Sequence, residues 1–447
     1  MWYAPIIARH DVTEASHRIP VRVSVMPTLR PRLPWFCVAA LASAALGGMA
    51  DNVRFAGQTG SAWWTLVLVA AIAMVLPAEL AAQWSGREPF PSSSALFQGR
   101  LPVVARRTPT LLVAFLSWAI VDSLAHGLTT AGLQNLCVYF IFIGGMALVS
   151  ATASHGTPRR VLHGLTWVGW FLAGFYGLEL ARSGFGADSP LVGRGFAITA
   201  LIVIAGAIAA PSIGFWPRWL PWILVTEIVL SGSRTAMLSA AVLLAFLLVR
   251  GRRAGSLIRG AAVIGLILVG GWLLVNNVSA LHQRFYGGDR GHLLGVSINT
   301  EGRQQIWPVL IQDAWTHPWA GGGAGTSKAV LAMRFPGDVD SHNDYLRMWV
   351  DFGFIGASLW VLGIFALFQR LRARCRVYQT NDAPIHRAAL LGLLAVTIVA
   401  LTDNVLIYEF ALAPLAALIG LSLAHPDSPG PTGRYASERP HPSWLTT

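Results

Sequence analysis

Long apolar segments dominate this sequence and limit the folds that are open to the chain. About twelve of them approach the length that an α-helix needs to cross a bilayer, at about 1.5 Å per residue. Hydrophobic residues make up 54% of the 447 residues and charged residues 12%, whereas soluble proteins carry roughly 25% charged residues. The segments are 34–50, 61–82, 110–127, 129–150, 161–181, 195–211, 215–231, 234–250, 257–276, 345–368, 387–403 and 405–424. The sequence therefore predicts an all-α polytopic membrane protein with about 12 transmembrane helices.

The positions of the basic residues predict how these segments are oriented. If the amino terminus is cytoplasmic, 23 of the 33 lysines and arginines fall on the cytoplasmic side, as the positive-inside rule requires. The predicted organisation is a cytoplasmic segment 1–33, helices 1–9 in 34–276, a long periplasmic loop 277–344, helices 10–12 in 345–424 and a cytoplasmic tail 425–447. We expect a multi-pass protein of the bacterial inner membrane with both termini in the cytoplasm and an active site in the periplasm.

Charge and cysteine content exclude several other classes of protein. The net charge of +12 is spread between the apolar segments, so it indicates membrane topology rather than a nucleic-acid partner. Cys37, Cys137 and Cys375 lie in or beside apolar segments without metal-ligand spacing, and we expect no disulfide between them. A His-Glu-x-x-His pattern or other paired metal ligands are absent from the sequence. No metal and no cofactor are therefore expected.

The longest dense polar stretch, Glu301 to Arg347, is the candidate active-site segment of the periplasmic loop. Arg303 precedes apolar residues spaced as on an amphipathic helix, which is typical of a helix at the membrane surface. The glycine-rich stretch 321–325 follows. It is open to two interpretations, an anion-binding nest or a flexible hinge.

Arg234 lies in a tight turn on the predicted outer side, between two apolar segments. Ser231 or Ser233 could cap the following helix. A guanidinium beside a helix amino terminus suits a phosphate group. The alternative is an arginine that reaches lipid headgroups.

His342 lies where the loop re-enters the membrane, close to the start of a predicted helix. The positive end of a helix dipole favours the neutral imidazole, which is the form that a general base requires. Asp403 lies in the last outer turn, where it either caps the final helix or orients an arginine or the base. Arg194 and Arg347 are further candidates for supporting roles.

Three motifs occur together and in order: SGSRTAMLSAAV at 231–242, EGRQQIW at 301–307 with HPWAGGGAG at 317–325, and SHNDYLRMWVDFGFIGASLW at 341–360. Over roughly residues 215–370 this combination resembles the O-antigen ligase and Wzy-type polymerase superfamily. The resemblance implies a metal-independent, inverting glycosyltransferase whose donor is a glycan linked to undecaprenyl diphosphate. By the same resemblance, Arg234 and Arg303 match arginines that hold the donor diphosphate, and His342 matches the histidine that activates the acceptor hydroxyl. Asp403 matches a terminal acidic position.

The resemblance leads us to expect an O-antigen ligase whose acceptor is lipid A–core. A Wzy-type polymerase and a protein O-oligosaccharyltransferase remain alternatives within the superfamily, and a twelve-span transporter is an alternative outside it. Arginine and glycine recur with the polymerase-like spacing at Arg182 to Gly193 and at Arg284 to Gly295. Many members carry a Phe-Gly-Asn-Pro-Asn stretch where this chain has GFGADSP at 184–190, which leaves the roles of Arg182 and Arg194 open.

Overall fold

The computed structural model describes most of the predicted helices. The described residues are 33–50, 53–55, 58–85, 109–154, 156–183, 193–210, 218–248, 290–293, 296–300, 302–337, 339–377 and 383–424, with scattered positions between 258 and 286. The predicted terminal segments therefore lie outside them, except for Leu33. The predicted ninth segment, 257–276, is described only in part, and its described positions are helical.

The described residues are almost entirely helical, which confirms the all-α prediction. The helices are α1 (Trp35–Ala50), α2 (Gly60–Ser85), α3 (Thr110–His126), α4 (Thr130–Thr152), α5 (Thr157–Ser183), α6 (Gly193–Ala209), α7 (Leu220–Leu230), α8 (Arg234–Leu248), α9 (Arg303–Ala314), α10 (Thr326–Arg334), α11 (Asp344–Val377), α12 (Ala383–Val399) and α13 (Glu409–Ala424). Gly60–Ala81, Thr130–Thr152, Thr157–Arg182 and Asp344–Val377 are long and apolar enough to cross a membrane. The remaining apolar helices are shorter, so the total number of spans stays a prediction.

Two small hairpins interrupt the helical pattern, and the sequence analysis did not predict either of them. Strand β1 (Arg54–Phe55) pairs with β2 (Gln58–Thr59), so that α1 and α2 are joined by a tight connection. Strand β3 (Arg290–Leu293) pairs with β4 (Val296–Asn299) ahead of α9. Both pairs are antiparallel.

The centre of the bundle is built from helices that are apolar on every side. Helix α4 and helix α13 pack along each other, and α1 and α2 cover them. Most residues of α4 and nearly all of α13 are buried, as expected of helices without a polar face. Small residues let these helices approach closely: a side chain at Gly145 would collide with Phe36, and one at Gly420 with Val149.

Helix α9 confirms that the loop contains a helix, and part of the apolar pattern of this helix faces protein. Ile306, Leu310 and Ala314 form a small separate core with Leu331 of α10 and Val350 of α11. Ile311 and Trp315 of the same apolar pattern are exposed, so the position of this helix at the membrane surface stays a prediction. Helix α10, which contributes Leu331 to this small core, was not predicted from the sequence.

Helix α11 is broken near its start. Gly353 has φ 65° and ψ −172°, so the chain runs as a short helical segment from Asp344 and then as a long one to Val377. This positive φ favours glycine, and a side chain here would also meet the carbonyl of Trp319. The predicted segment 345–368 is therefore extended at its carboxyl end and divided at Gly353.

Candidate active site

The turn that follows α12, residues 400–404, is where the separate sequence motifs meet. The backbone N–H of Asp344 donates to the carbonyl of Ala400 at 2.9 Å. The hydroxyl of Ser341 donates to the side-chain oxygen of Asn404 at 3.0 Å. The hydroxyls of Thr235 and Thr402 contact each other. One short turn thus joins the start of α8, the start of α11 and, as shown next, the start of α9.

Arg303 is the first residue of α9 and reaches this turn through its guanidinium. Its Nη2 donates to the carbonyl of Thr402 at 3.0 Å, and its Nη1 donates to the carbonyl of Thr300 at 3.2 Å. The side chain is half-buried. Two carbonyls therefore orient the planar guanidinium, which has five N–H donors. Its positive charge lies between the loop and the helix bundle.

Arg234 is the first residue of α8 and follows the turn at Ser231–Ser233. The hydroxyl of Ser231 donates to the carbonyl of Ile228 at 2.7 Å and accepts the N–H of Ser233 at 3.3 Å, which closes this turn. Because Thr235 contacts Thr402, Arg234 lies next to the 400–404 turn that also holds Arg303. The structure therefore brings the two predicted arginines to one end of the bundle.

His342 lies immediately before the residue that caps α11. The side-chain oxygen of Asn343 accepts the N–H of Leu346 at 3.0 Å, which is the geometry of an amino-terminal cap. Trp307 of α9 donates its indole N–H to the carbonyl of Ser341 at 3.0 Å. His342 has φ 48°, an uncommon value for a residue other than glycine, and the neighbouring contacts hold it there. Strain of this kind concentrates at functional sites.

The other predicted residues have different surroundings. Asp403 is buried and accepts the N–H of Asn404 at 2.9 Å, so it closes the 400–404 turn and does not cap α13, which begins at Glu409. Arg194 is the second residue of α6, and its side chain lies outside the described part of the chain. Arg182 is exposed at the end of α5, and Arg284 is not described.

Arg347 is part of a buried group of charges on the short first segment of α11. Its Nη2 lies 2.7 Å from Oδ1 of Asp344, and the residue is only 5% exposed. Oδ2 of Asp344 accepts the N–H of Leu406 at 2.9 Å. The charge of Arg347 is therefore directed to Asp344 inside the protein, and a supporting role of Arg347 in donor binding stays a prediction.

The glycine-rich stretch is neither an open nest nor a hinge. Oδ2 of Asp351 accepts the N–H of Gly325 at 3.2 Å, and Oδ1 accepts the N–H of Ser327 at 2.8 Å. The N–H of Ala324 donates to the hydroxyl of Ser123 at 2.9 Å. Every backbone N–H from 321 to 327 donates to a protein acceptor. The anion that this stretch binds is therefore the carboxylate of Asp351, and the stretch is fixed to α3 and α11.

A comparison with known families matches part of the chain. Residues 219–361 match the family model Wzy_C, described as O-Antigen ligase. This part of the chain is similar to that family. No curated protein matches the chain. The matched region contains Arg234, Arg303 and His342, whereas the 400–404 turn lies beyond it.

The candidate site also contains residues that the sequence analysis missed. Thr402 binds Arg303 and contacts Thr235. Ser341 and Asn343 fix the backbone on both sides of His342. Their signal in the sequence is weak, because Thr402 acts through its backbone carbonyl. Asn343 alone could have been found, since asparagine just before a helical segment is a typical cap.

Proposed function

We propose that this membrane protein is an O-antigen ligase. It transfers a glycan from undecaprenyl diphosphate to a hydroxyl of lipid A–core, at the periplasmic face of the bacterial inner membrane. The observation that carries the proposal is the convergence of the starts of α8, α9 and α11 on the 400–404 turn. This convergence supports the assignment of Arg234, Arg303 and His342 to one site.

In this proposal Arg234 and Arg303 bind the diphosphate of the donor. A guanidinium presents paired donors that match phosphate oxygens. Two such groups neutralise the charge that grows on the diphosphate as it departs, in the way that enzymes place fixed positive charge where negative charge develops. The Arg303 fork is already held by Thr300 and Thr402, so little side-chain freedom is lost when the donor binds.

His342 is the general base of the proposed reaction. The acceptor hydroxyl gives its proton to the imidazole as the oxygen attacks the anomeric carbon, and the bond from that carbon to the diphosphate breaks. A single in-line displacement inverts the anomeric centre. The held backbone on both sides of His342 supports this role, because a base must lie within hydrogen-bond reach of the proton that it removes.

The alternatives differ from the ligase in their acceptor. A Wzy-type polymerase would transfer the glycan to a second lipid-linked glycan, and a protein O-oligosaccharyltransferase would transfer it to a protein hydroxyl. The three site residues serve all of these reactions equally. A twelve-span transporter would need neither a base nor a fixed pair of arginines, and the family match does not favour it.

The deciding experiment offers purified protein a glycan linked to undecaprenyl diphosphate together with each acceptor. For a ligase, glycan appears on lipid A–core. For a polymerase, longer lipid-linked glycan appears instead. In a deletion strain, a ligase defect leaves long lipid-linked polymer and a core without O-antigen, whereas a polymerase defect leaves core that carries one repeat. If neither product appears in either assay, the proposed glycosyltransferase activity is contradicted.

The proposed periplasmic side has its own test. Cysteine at Ser279 should react with an impermeant thiol reagent in intact spheroplasts, and cysteine at Ala373 should react only after lysis. Ala373 lies near the carboxyl end of α11, where four arginines occur at 370, 372, 374 and 376. The opposite labelling pattern would place the 400–404 turn and its arginines on the cytoplasmic side.

A further inference from the structure

Beside the candidate site, where α9 ends and α11 is broken, aromatic side chains form a continuous patch. Trp315 lies 5.2 Å from Trp349 and 6.1 Å from Phe354, measured between ring centroids. Trp319 lies 5.9 Å from Phe354, and Trp349 lies 4.8 Å from Phe354. We call these four residues the aromatic patch. The glycosyl transfer proposed above does not use any of them.

Two tryptophans of the patch are largely exposed, while Trp349 is half-buried against the small core. Trp315 is 60% exposed and Trp319 is 69% exposed. Ile311, one turn before Trp315 on α9, is also exposed. The other apolar side of α9 is buried in the small core with α10 and α11. Because the described residues leave Trp315 and Trp319 largely exposed, a cluster of this size indicates contact with something apolar.

The apolar surface continues from the patch along the outside of α11. Phe354 begins the long segment of α11, and the exposed side chains that follow it are Ile355, Val361, Leu362 and Phe365. They belong to Asp344–Val377, one of the helices able to cross a membrane. An exposed apolar stripe on such a helix faces lipid. The aromatic patch lies at the amino-terminal end of this stripe. That end of α11 is the one nearer the candidate site.

We propose that the aromatic patch rests in the headgroup and acyl-chain boundary of the bilayer, on the side of the candidate site. Tryptophan is enriched at this boundary because its ring is apolar and its N–H is polar. The patch would hold the end of α9 at the membrane surface. Arg303 begins the same helix, so the depth of Trp315 constrains the depth at which the arginine meets a lipid-borne group.

The test uses full-length protein in phospholipid nanodiscs, in a background whose three cysteines are replaced by alanine. A polarity-sensitive fluorophore is attached to Trp319→Cys, within the aromatic patch, or to Ile311→Cys, one turn before Trp315. These two are the patch positions of the test. Gln312→Cys is the matched control, because Gln312 is exposed and lies about 100° around the helix from Ile311. Two quenchers are compared: a nitroxide on the upper part of the phospholipid acyl chain, and iodide in the water.

We expect the two patch positions to show blue-shifted emission and stronger quenching by the lipid nitroxide than by iodide. Gln312→Cys should show the reverse order. Quenching of both patch positions mainly by iodide would overturn the proposal, since the patch would then face water. Protection from both quenchers would overturn it as well, since the patch would then be covered by a second copy or another protein. Neither measurement depends on glycosyl transfer, so these outcomes are separate from those that test the proposed function.

Discussion

Replacing Asp351 tests whether one buried carboxylate fixes the glycine-rich stretch to the bundle. The carboxylate accepts the N–H of Gly325 at 3.2 Å and of Ser327 at 2.8 Å, and the residue is fully buried. A hydrogen bond to a charged group contributes about 1.5–3 kcal/mol. Asp351→Ala removes both and leaves two buried donors without an acceptor, so we expect the free energy of unfolding to fall by about 3–6 kcal/mol. Asp351→Asn keeps one acceptor oxygen and should lose roughly half as much.

The loss can be measured by unfolding in mixed micelles with increasing fractions of SDS, followed by tryptophan fluorescence. Asp340→Ala is the matched control in the same loop. Asp340 pairs with Lys328 at 3.4 Å, but their side chains are 31% and 42% exposed. An exposed pair contributes about 0–1 kcal/mol, so this variant should unfold almost like the original protein. Asp351→Ala with a loss no larger than that of Asp340→Ala would refute the assigned role of Asp351.

Three further changes probe the site and the break in α11. Arg303→Ala should abolish transfer and Arg303→Lys should recover only part of the initial rate, because lysine lacks the planar fork; full activity of the lysine variant would mean that charge alone suffices. His342→Gln should lower turnover about 10²–10⁴-fold and leave binding of undecaprenyl diphosphate intact, and rapid transfer by this variant would exclude a general base. Gly353→Ala should destabilise the protein clearly more than Gly337→Ala in the same unfolding assay. Both glycines have positive φ, but only the side chain at 353 would collide, with Trp319; equal losses would show that the close approach contributes nothing.

The sequence predicts the helices of this protein well because each one is a long apolar run that must bury its own backbone hydrogen bonds in lipid. The sequence also offers Arg234, Arg303 and His342 as candidates, because they are polar residues near the ends of apolar runs. Helix α10 was missed because it has only nine residues and makes its apolar contacts in the small core. No periodic pattern of that length separates a helix from a loop.

The contacts that join the site could not be predicted for a different reason. Arg303 binds Thr402 through a backbone carbonyl, which every residue possesses. Asp351 binds N–H groups that lie 26 and 24 residues earlier in the chain. A glycine-rich stretch has the same sequence whether its donors hold an external anion or a carboxylate of the protein. Only the folded chain distinguishes these two cases.

The break at Gly353 limits how this protein can be divided or recombined. The N–H groups of Phe354 and Ile355, which the break leaves without helical partners, donate to the carbonyls of Pro318 and Trp319 at 2.8 and 3.2 Å. Gly322 and Gly323 donate in return to the carbonyls of Val350 and Asp351 at 3.2 and 2.8 Å. The loop before α11 thus completes the hydrogen bonding of the helix that follows it. A chimaera that exchanges the loop alone, with its boundary at the start of α11, would separate these partners. Exchange should succeed only when the loop and the first turns of α11 beyond Gly353 are taken together from the same parent protein.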